Sequence, residues 1–139
     1  MRALAILCLC AGMAQAQDFT TLKGHGGPIM DIAVSPQGVV ATASFDNSVG
    51  LWQDHDPQWL DGHEAAVNAV AFGAGLIVSG GDDFAVRIWN DAPRLLGRHE
   101  GKVTDLAVQG DIAASASWDG TIGLWNLETG DDRLLDAPG

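Results

Sequence analysis

Short apolar runs separated by turn residues dominate the chain from residue 24 onwards. In the middle of the chain, four such runs lie at 67–72, 76–80, 85–89 and 93–97. They are rich in β-branched and small apolar residues, and glycine, aspartate and asparagine lie between them. Runs of this length with such boundaries are typical of antiparallel strands. The pattern therefore predicts an all-β unit of four strands, with no helix.

The same unit occurs three times. Aligned on a tryptophan, SFDNSVGLW, GDDFAVRIW and SWDGTIGLW end at residues spaced 37 and 36 apart. Each unit has an aspartate six residues before the tryptophan, a small hydroxyl residue ten before it, and a histidine further upstream. Apolar residues recur at the fourth, seventh and ninth positions after that histidine. Such agreement predicts a repeat architecture in which each unit buries its faces on its neighbours. The recurring polar set is His25, Thr42, Asp46 and Trp52, then His63, Ser79, Asp83 and Trp89, then His99, Ser115, Asp119 and Trp125.

These repeats resemble those of WD-repeat β-propellers over nearly all of residues 18–139. The resemblance implies an all-β propeller part with three four-stranded blades and an N-terminal outer strand at 18–23. It also implies that each polar set forms a buried hydrogen-bond network, because an imidazole and a carboxylate are buried cheaply only when each satisfies the other. The predicted blades span about 24–60, 62–97 and 99–136.

The chain departs from the family pattern at two places. The residue after the tryptophan is Gln53, Asn90 or Asn126, where the family commonly has aspartate. His99 follows Arg98, where a glycine is usual. Neither position belongs to the predicted network, so the fold assignment is little affected.

Family members commonly bind partners through the face that carries the aspartate turns. The resemblance implies contacts from the residue before each aspartate and from the residues three and five positions after each histidine. Phe45 and Trp118 stand out, because exposed aromatic residues are frequent interface anchors. The alternative is that these two side chains cover the turn or pack on a neighbouring blade. The complete set is Pro28, Met30, Phe45, Ala66, Asn68, Asp82, Lys102, Thr104 and Trp118.

Residues 1–16 are predicted to be a signal peptide that is cleaved before Gln17. Arg2 gives a positive start, 3–11 is an apolar run too short to span a membrane, and Ala14-Gln-Ala16 has the form of a cleavage site. Cys8 and Cys10 both lie inside this segment, which excludes disulfides and thiolate sites from the mature part. We therefore expect a periplasmic protein that is not inserted in the membrane after cleavage.

The net charge of −11 limits the classes of partner. Loss of Arg2 with the signal peptide leaves six basic and eighteen acidic residues, a net charge of −12. Such a surface repels nucleic acid and anionic lipid, so a protein or peptide partner is predicted. The histidines and aspartates recur once per unit, which favours a structural role, and we predict no catalytic residue and no metal site. Asp54, His55 and Asp56 are interpreted as a solvated loop.

The predicted function is an exported scaffold for protein–protein interaction that needs no cofactor in this segment. Closed propellers have about four to eight blades, so three blades indicate either a chain truncated at its C-terminus or self-assembly of several copies into one ring. The alternative function is the N-terminal half of an exported bacterial propeller with a c-type cytochrome module. The Cys-x-x-Cys-His motif that attaches haem c is absent from these residues. A propeller hydrolase or quinone dehydrogenase is disfavoured, because no convergent catalytic set is visible.

Overall fold

The computed structural model describes residues 19–54 and 56–136. Within them, twelve β-strands form three four-stranded antiparallel sheets, and these residues contain no helix. The predicted all-β class with three four-stranded blades is confirmed. No helix in the described part of the chain is long and apolar enough to cross a membrane. The predicted signal peptide, residues 1–16, lies outside the described residues.

Each sheet is one blade, and its strands pair in chain order. Blade 1 contains β1 (Ile29–Val34), β2 (Val40–Ser44), β3 (Ser48–Gln53) and β4 (Asp56–Asp61). Blade 2 contains β5 (Val67–Gly73), β6 (Leu76–Gly81), β7 (Ala85–Trp89) and β8 (Arg94–Arg98). Blade 3 contains β9 (Val103–Gln109), β10 (Ile112–Ser117), β11 (Thr121–Asn126) and β12 (Asp132–Asp136).

The turn between the second and third strands has the same backbone conformation in all three blades. The residue after each recurring aspartate has a positive φ, at 72° for Asn47, 68° for Phe84 and 86° for Gly120. Asparagine and glycine adopt this region readily, whereas a phenylalanine there is strained. The shared conformation places the residue before each aspartate at the same end of every blade.

The apolar positions that follow each histidine explain how the blades pack. In blade 3, Val103 is buried and Leu106 and Val108 pack against the cluster that joins blades 2 and 3. The corresponding residues of blade 1, including Ile32 and Val34, are exposed, because no described blade precedes β1. The cluster between blades 1 and 2 contains Ala41, Ala43, Val49, Val67, Val70, Ile77 and Trp89. The cluster between blades 2 and 3 contains Val78, Val86, Ile88, Val103, Ala113, Trp125 and Leu127.

Polar contacts also join the blades. The backbone N–H of Val70 in blade 2 donates to Asp31 Oδ2 in blade 1 over 2.9 Å. Arg94 Nη2 in blade 2 donates to the carbonyl oxygen of Leu127 in blade 3 over 3.1 Å. These bonds satisfy polar groups next to the apolar clusters, where an unpaired group would destabilise the packing.

The N-terminal outer strand predicted at 18–23 stays a prediction, because the described residues contain no blade in which it could pair. Residues 19–23 form no strand, and the side chain of Phe19 is 92% exposed. A strand needs a neighbour with free backbone groups. An outermost strand pairs with the third strand of its own blade, and no described blade precedes β1.

Candidate functional site

The predicted network residues of blade 1 lie within hydrogen-bond distance of one another. Trp52 Nε1 donates to Thr42 Oγ1 over 2.8 Å, and Thr42 Oγ1 lies 2.7 Å from His25 Nε2. His25 Nδ1 lies 2.9 Å from Asp46 Oδ2. An indole N–H only donates, so Thr42 Oγ1 accepts from Trp52, and an ionised carboxylate only accepts, so the Nδ1–H of His25 donates to Asp46. The resulting chain runs from tryptophan to aspartate.

Blade 2 has the same geometry with a serine in place of the threonine. Trp89 Nε1 donates to Ser79 Oγ over 2.8 Å, and Ser79 Oγ lies 2.7 Å from His63 Nε2. His63 Nδ1 lies 3.0 Å and 2.9 Å from the two carboxylate oxygens of Asp83. Ser79 is fully buried, so a substrate has no access to its hydroxyl. The arrangement therefore favours a structural role.

In blade 3 the aspartate is reached through an additional hydroxyl. Trp125 Nε1 donates to Ser115 Oγ over 2.8 Å, and Ser115 Oγ lies 2.7 Å from His99 Nε2. His99 Nδ1 lies 2.8 Å from Thr121 Oγ1, which donates to Asp119 Oδ1 over 2.7 Å. The direct distance from His99 Nδ1 to Asp119 Oδ2 is 3.3 Å. The threonine hydroxyl thus bridges the histidine and the carboxylate by two hydrogen bonds.

This hydroxyl, two residues after the aspartate, was not among the network residues predicted from the sequence. Ser48 has the same position in blade 1, and its Oγ donates to Asp46 Oδ1 over 2.6 Å. Blade 2 has Ala85 there, and Asp83 instead contacts His63 with both oxygens. The sequence did contain a signal for this residue, because two of the three repeats have a hydroxyl two residues after the aspartate.

Each carboxylate also binds backbone N–H groups of two segments. In blade 2, the N–H of Glu64 donates to Asp83 Oδ2 over 3.0 Å, and the N–H of Ala85 donates to Asp83 Oδ1 over 3.2 Å. Burial raises the pKa of Asp83, but the hydrogen bonds from Glu64 and His63 outweigh burial and hold this pKa below its usual range. The ionised aspartate therefore ties the segment after the histidine to the turn.

Burial lowers the pKa of His63 below its usual value, against the opposing effect of Asp83. A neutral His63 is also what the hydrogen-bond chain requires, since its Nε2 accepts from Ser79.

We predict that the stability of the protein falls in two stages as the pH is lowered. The unfolded state protonates His63 below its ordinary pKa of 6.5, whereas the folded state resists protonation, so the free energy of unfolding decreases below that pH. Asp46, Asp83 and Asp119 have folded pKa values below 3.8, which gives a second loss as the pH falls below that value. Urea unfolding across this range tests both stages.

The control variant for the first stage is His63→Gln, in which that stage should shrink while the second remains. A wild-type free energy of unfolding that does not change between about pH 7 and pH 5 would contradict a neutral His63.

The residue before each aspartate is held by an equivalent backbone hydrogen bond in every blade. The N–H of Phe45 donates to the Pro28 carbonyl over 2.9 Å, and the N–H of Trp118 donates to the Lys102 carbonyl over 3.0 Å. In blade 2, the N–H of Asp82 donates to the Ala66 carbonyl over 2.8 Å. Ala66 itself is buried, so its side chain is not available as the partner contact that the resemblance implies. Ala is small and packs under the turn instead.

The structure brings seven of the predicted partner-binding residues together around one cavity of about 380 Å³. All three blades contribute to its lining, at the end that carries the aspartate turns. We call it the turn-face cavity. Its lining residues are Met30, Phe45, Asn68, Asp82, Lys102, Thr104 and Trp118.

The turn-face cavity combines two aromatic side chains with one ion pair. Lys102 Nζ lies 2.6 Å from Asp82 Oδ2 and 5.5 Å from the centre of the Trp118 ring. Asn68 Nδ2 donates to Asp82 Oδ1 over 2.7 Å and to the Val103 carbonyl over 3.0 Å. Burial raises the pKa of Asp82, but the hydrogen bonds from Lys102 and Asn68 outweigh burial and lower this pKa. The carboxylate is therefore ionised and fixed in place.

A larger cavity of about 490 Å³ lies at the opposite end of blades 1 and 2. Its lining includes Leu51, Phe72 and Trp89, and none of its lining residues carries a charge. In the part of the chain that the structure describes, no group of three or more His, Cys, Asp or Glu side chains is arranged to hold a metal ion. His55 of the Asp54–Asp56 loop lies outside the described residues. Of these two cavities, the turn-face cavity is therefore the one that combines charged, polar and aromatic side chains.

The chain is similar in sequence to parts of three longer fungal proteins. The chain is 33% identical over 79% of its length to a CCR4-associated factor 4 homolog of Candida glabrata, and 32% identical over 84% to Protein DOA1 of Saccharomyces cerevisiae. It is 36% identical over 50% of its length to a probable cytosolic iron-sulfur protein assembly protein 1 of Malassezia globosa. The matched stretches cover 23%, 19% and 25% of those relatives, respectively. These fungal relatives lend no support to the bacterial exported type or to the cytochrome alternative.

The family profile described as "WD domain, G-beta repeat" matches residues 17–53, 57–90 and 93–126. The last two matches each join the outermost strand of one blade to the three inner strands of the next. These three matches cover most of the chain, and the chain therefore belongs to the WD40 repeat family.

Proposed function

We propose that this protein is an interaction scaffold that binds a protein partner through the turn-face cavity. The observation that carries the proposal is that one cavity is lined by residues from the equivalent positions of all three blades. WD repeats are associated with protein–protein interaction, and no catalytic residue or cofactor is part of the proposal. Each blade contributes a turn residue and an inner-strand residue to one continuous surface.

Exposed apolar side chains at this surface supply the binding energy. Phe45 is 57% exposed and Trp118 is 74% exposed, although both lie in turns where a polar residue would be easily accommodated. Met30 is exposed beside them in the same cavity. Large apolar side chains clustered on a surface mark interaction sites more often than single exposed ones do. Within residues 19–54 and 56–136, no neighbouring blade covers either aromatic side chain, which favours the anchor role.

The hydrogen-bond networks hold this surface in shape. Asp46 and Asp119 fix the turns that carry Phe45 and Trp118, and the backbone bonds to Pro28 and Lys102 fix the adjoining strands. A surface that is ordered before binding loses less conformational entropy when the partner docks. The buried polar residues therefore serve binding indirectly, by positioning the turns.

Two further features belong to the proposal and rest on narrower observations. Export to the periplasm rests on the sequence of residues 1–16 alone. The exposed apolar face of blade 1, with Ile29, Ile32 and Val34, corresponds to the face that blades 2 and 3 bury against a preceding blade. We propose that an additional blade covers it in the working assembly.

The double variant Phe45→Ala/Trp118→Ala tests the proposed function. We expect partner affinity to fall by about 30-fold or more, because truncating two central aromatic anchors costs roughly 2 kcal/mol or more. The melting temperature should stay close to that of the wild type, since both side chains are exposed. Binding can be measured by titration calorimetry with the partner that photo-crosslinking identifies.

The matched control is Phe84→Ala, which removes an exposed aromatic from the turn next to Asp83 but not from the cavity. It should leave affinity unchanged. Undiminished binding by the double variant, or a loss seen only together with a large fall in melting temperature, would refute the proposed function.

A further inference from the structure

We infer that the turn-face cavity recognises an arginine side chain in a basic peptide segment, which displaces the Lys102 ammonium from Asp82 and Trp118. The inference rests on the proposed function and names its partner chemistry.

The position of Lys102 shows that the cavity fits a cation. Its ammonium lies 2.6 Å from Asp82 Oδ2 and 5.5 Å from the centre of the Trp118 ring. A carboxylate next to the face of an indole is a favourable environment for an alkylammonium or a guanidinium, because both groups attract positive charge. The side chain of Lys102 is 41% exposed, so an incoming cation can replace it without unfolding any structure.

The carboxylate of Asp82 is fixed in a position where it can accept hydrogen bonds from a ligand. Asn68 Nδ2 donates to its Oδ1 over 2.7 Å, and its backbone N–H is bonded to the Ala66 carbonyl. Each carboxylate oxygen accepts two hydrogen bonds, so at least one acceptor position on each oxygen is available when Lys102 moves away. The lowered pKa of Asp82 keeps the carboxylate charged at neutral pH. Both oxygens can then receive the paired N–H groups of one guanidinium.

The overall charge decides between a basic and an acidic partner. The chain carries a net charge of −11, and the only basic residue that lines the cavity, Lys102, is already paired with Asp82. An acidic segment would have to approach against the field of the whole chain, whereas a basic segment is attracted by it. A basic partner is therefore favoured.

The cavity favours arginine over lysine at this position. A guanidinium is planar, stacks on an aromatic ring and binds a carboxylate with two parallel hydrogen bonds, whereas an ammonium offers a point charge that Lys102 already supplies. Met30 and Phe45 complete the lining with apolar surface, which suits an aliphatic residue next to the arginine. The preferred ligand is therefore an arginine flanked by leucine or a similar residue.

The test follows the indole N–H signal of Trp118 in ¹⁵N-labelled 139-residue protein during peptide titrations. The probes are acetylated Gly-Leu-Arg-Leu-Gly amide and the same peptide with lysine, glutamate or leucine in place of arginine. We expect a saturable shift with the arginine peptide below about 1 mM, weaker binding of the lysine peptide, and no shift with the glutamate peptide. A glutamate or leucine peptide that binds as well as the arginine peptide, or no shift with the arginine peptide, would overturn the inference.

Substitution of Lys102 gives the most discriminating result. Lys102→Met removes the competing ammonium and keeps the side-chain stem, so the arginine peptide should bind about three- to tenfold more tightly. Arg133→Met makes the same charge change on the exposed outer strand β12 and should improve affinity much less. Weaker binding by Lys102→Met would mean that the lysine itself holds the ligand, and the inference would be wrong.

Asp82→Asn should reduce the affinity for the arginine peptide by about tenfold or more. Its control is Asp111→Asn, which removes one negative charge at the opposite end of blade 3 and should have little effect. Unchanged affinity in Asp82→Asn would contradict the role of this carboxylate.

Failure of the inference can be distinguished from failure of the proposed function. If glutamate peptides bind at Trp118, the arginine inference fails while the proposed scaffold function stands. Undiminished partner binding by Phe45→Ala/Trp118→Ala would refute both the inference and the proposed function.

Discussion

Replacing Trp125 with alanine is expected to lower the free energy of unfolding by about 3–5 kcal/mol. The side chain is 1% exposed and belongs to the apolar cluster that joins blades 2 and 3. Its truncation removes packing from the cluster that includes Ile88, leaves a cavity between two blades, and deprives Ser115 of the indole N–H that it accepts. Equilibrium unfolding in urea measures the change.

Trp118→Ala is the matched control, because it makes the same substitution seven residues earlier in the same blade. Trp118 is largely exposed, so the free energy of unfolding should change by less than about 0.5 kcal/mol. Equal costs at the two positions would contradict the packing between blades 2 and 3. The pair also shows that loss of partner binding in Trp118→Ala does not arise from unfolding.

Asp83→Ala is expected to destabilise the protein by about 2–3 kcal/mol or more, because several donors lose their acceptor at once. The N–H groups of Glu64 and Ala85 and the Nδ1 of His63 all contact this carboxylate. The imidazole is buried and has no alternative acceptor at Nδ1 within the described hydrogen bonds. The loss should appear as a lower urea midpoint of the protein. Blade 2 has Ala85 where blades 1 and 3 have a hydroxyl, so no side chain at this position can replace the lost hydrogen bonds.

Asp82→Ala removes the neighbouring carboxylate and serves as the control. Asp82 pairs with Lys102 at a partly exposed site, and such surface pairs contribute about 1 kcal/mol or less. Asn68 keeps its bond to the Val103 carbonyl in this variant. A cost for Asp82→Ala as large as that for Asp83→Ala would mean that the network is not what fixes the turn.

Most of the fold could be predicted from the period of about 36 residues, because strand signals, turn residues and the polar set all recur with it. Residue spacing after each histidine was informative for a physical reason: the fourth, seventh and ninth positions, such as Val67, Val70 and Phe72, face the preceding blade. The positions that line the turn-face cavity were those that the resemblance to WD-repeat propellers implies. Their grouping into one cavity follows from the shared turn conformation.

The remaining features depend on contacts that a repeat pattern does not contain. Residues 19–23 resemble an outer strand, but a strand exists only when a neighbour pairs with it. Thr121 was missed because its role becomes clear only when its hydroxyl lies between His99 and Asp119. Ala66 occupies a position that is exposed or half-buried in the other blades, yet its small side chain is buried under the Asp82 turn. In each case, the presence or absence of a neighbouring contact decides the outcome.

Photo-crosslinking from the turn-face cavity tests the central claim most directly. A photoreactive benzoylphenylalanine replaces Trp118 in one sample and Asp111, at the opposite end of blade 3, in another. Both samples are irradiated in cells that produce the protein, and the adducts are identified by mass spectrometry. The account predicts a discrete protein adduct from position 118, none from 111, and loss of the adduct when Phe45 is also replaced by alanine. Adducts of equal yield from both positions, or none from position 118, would contradict it.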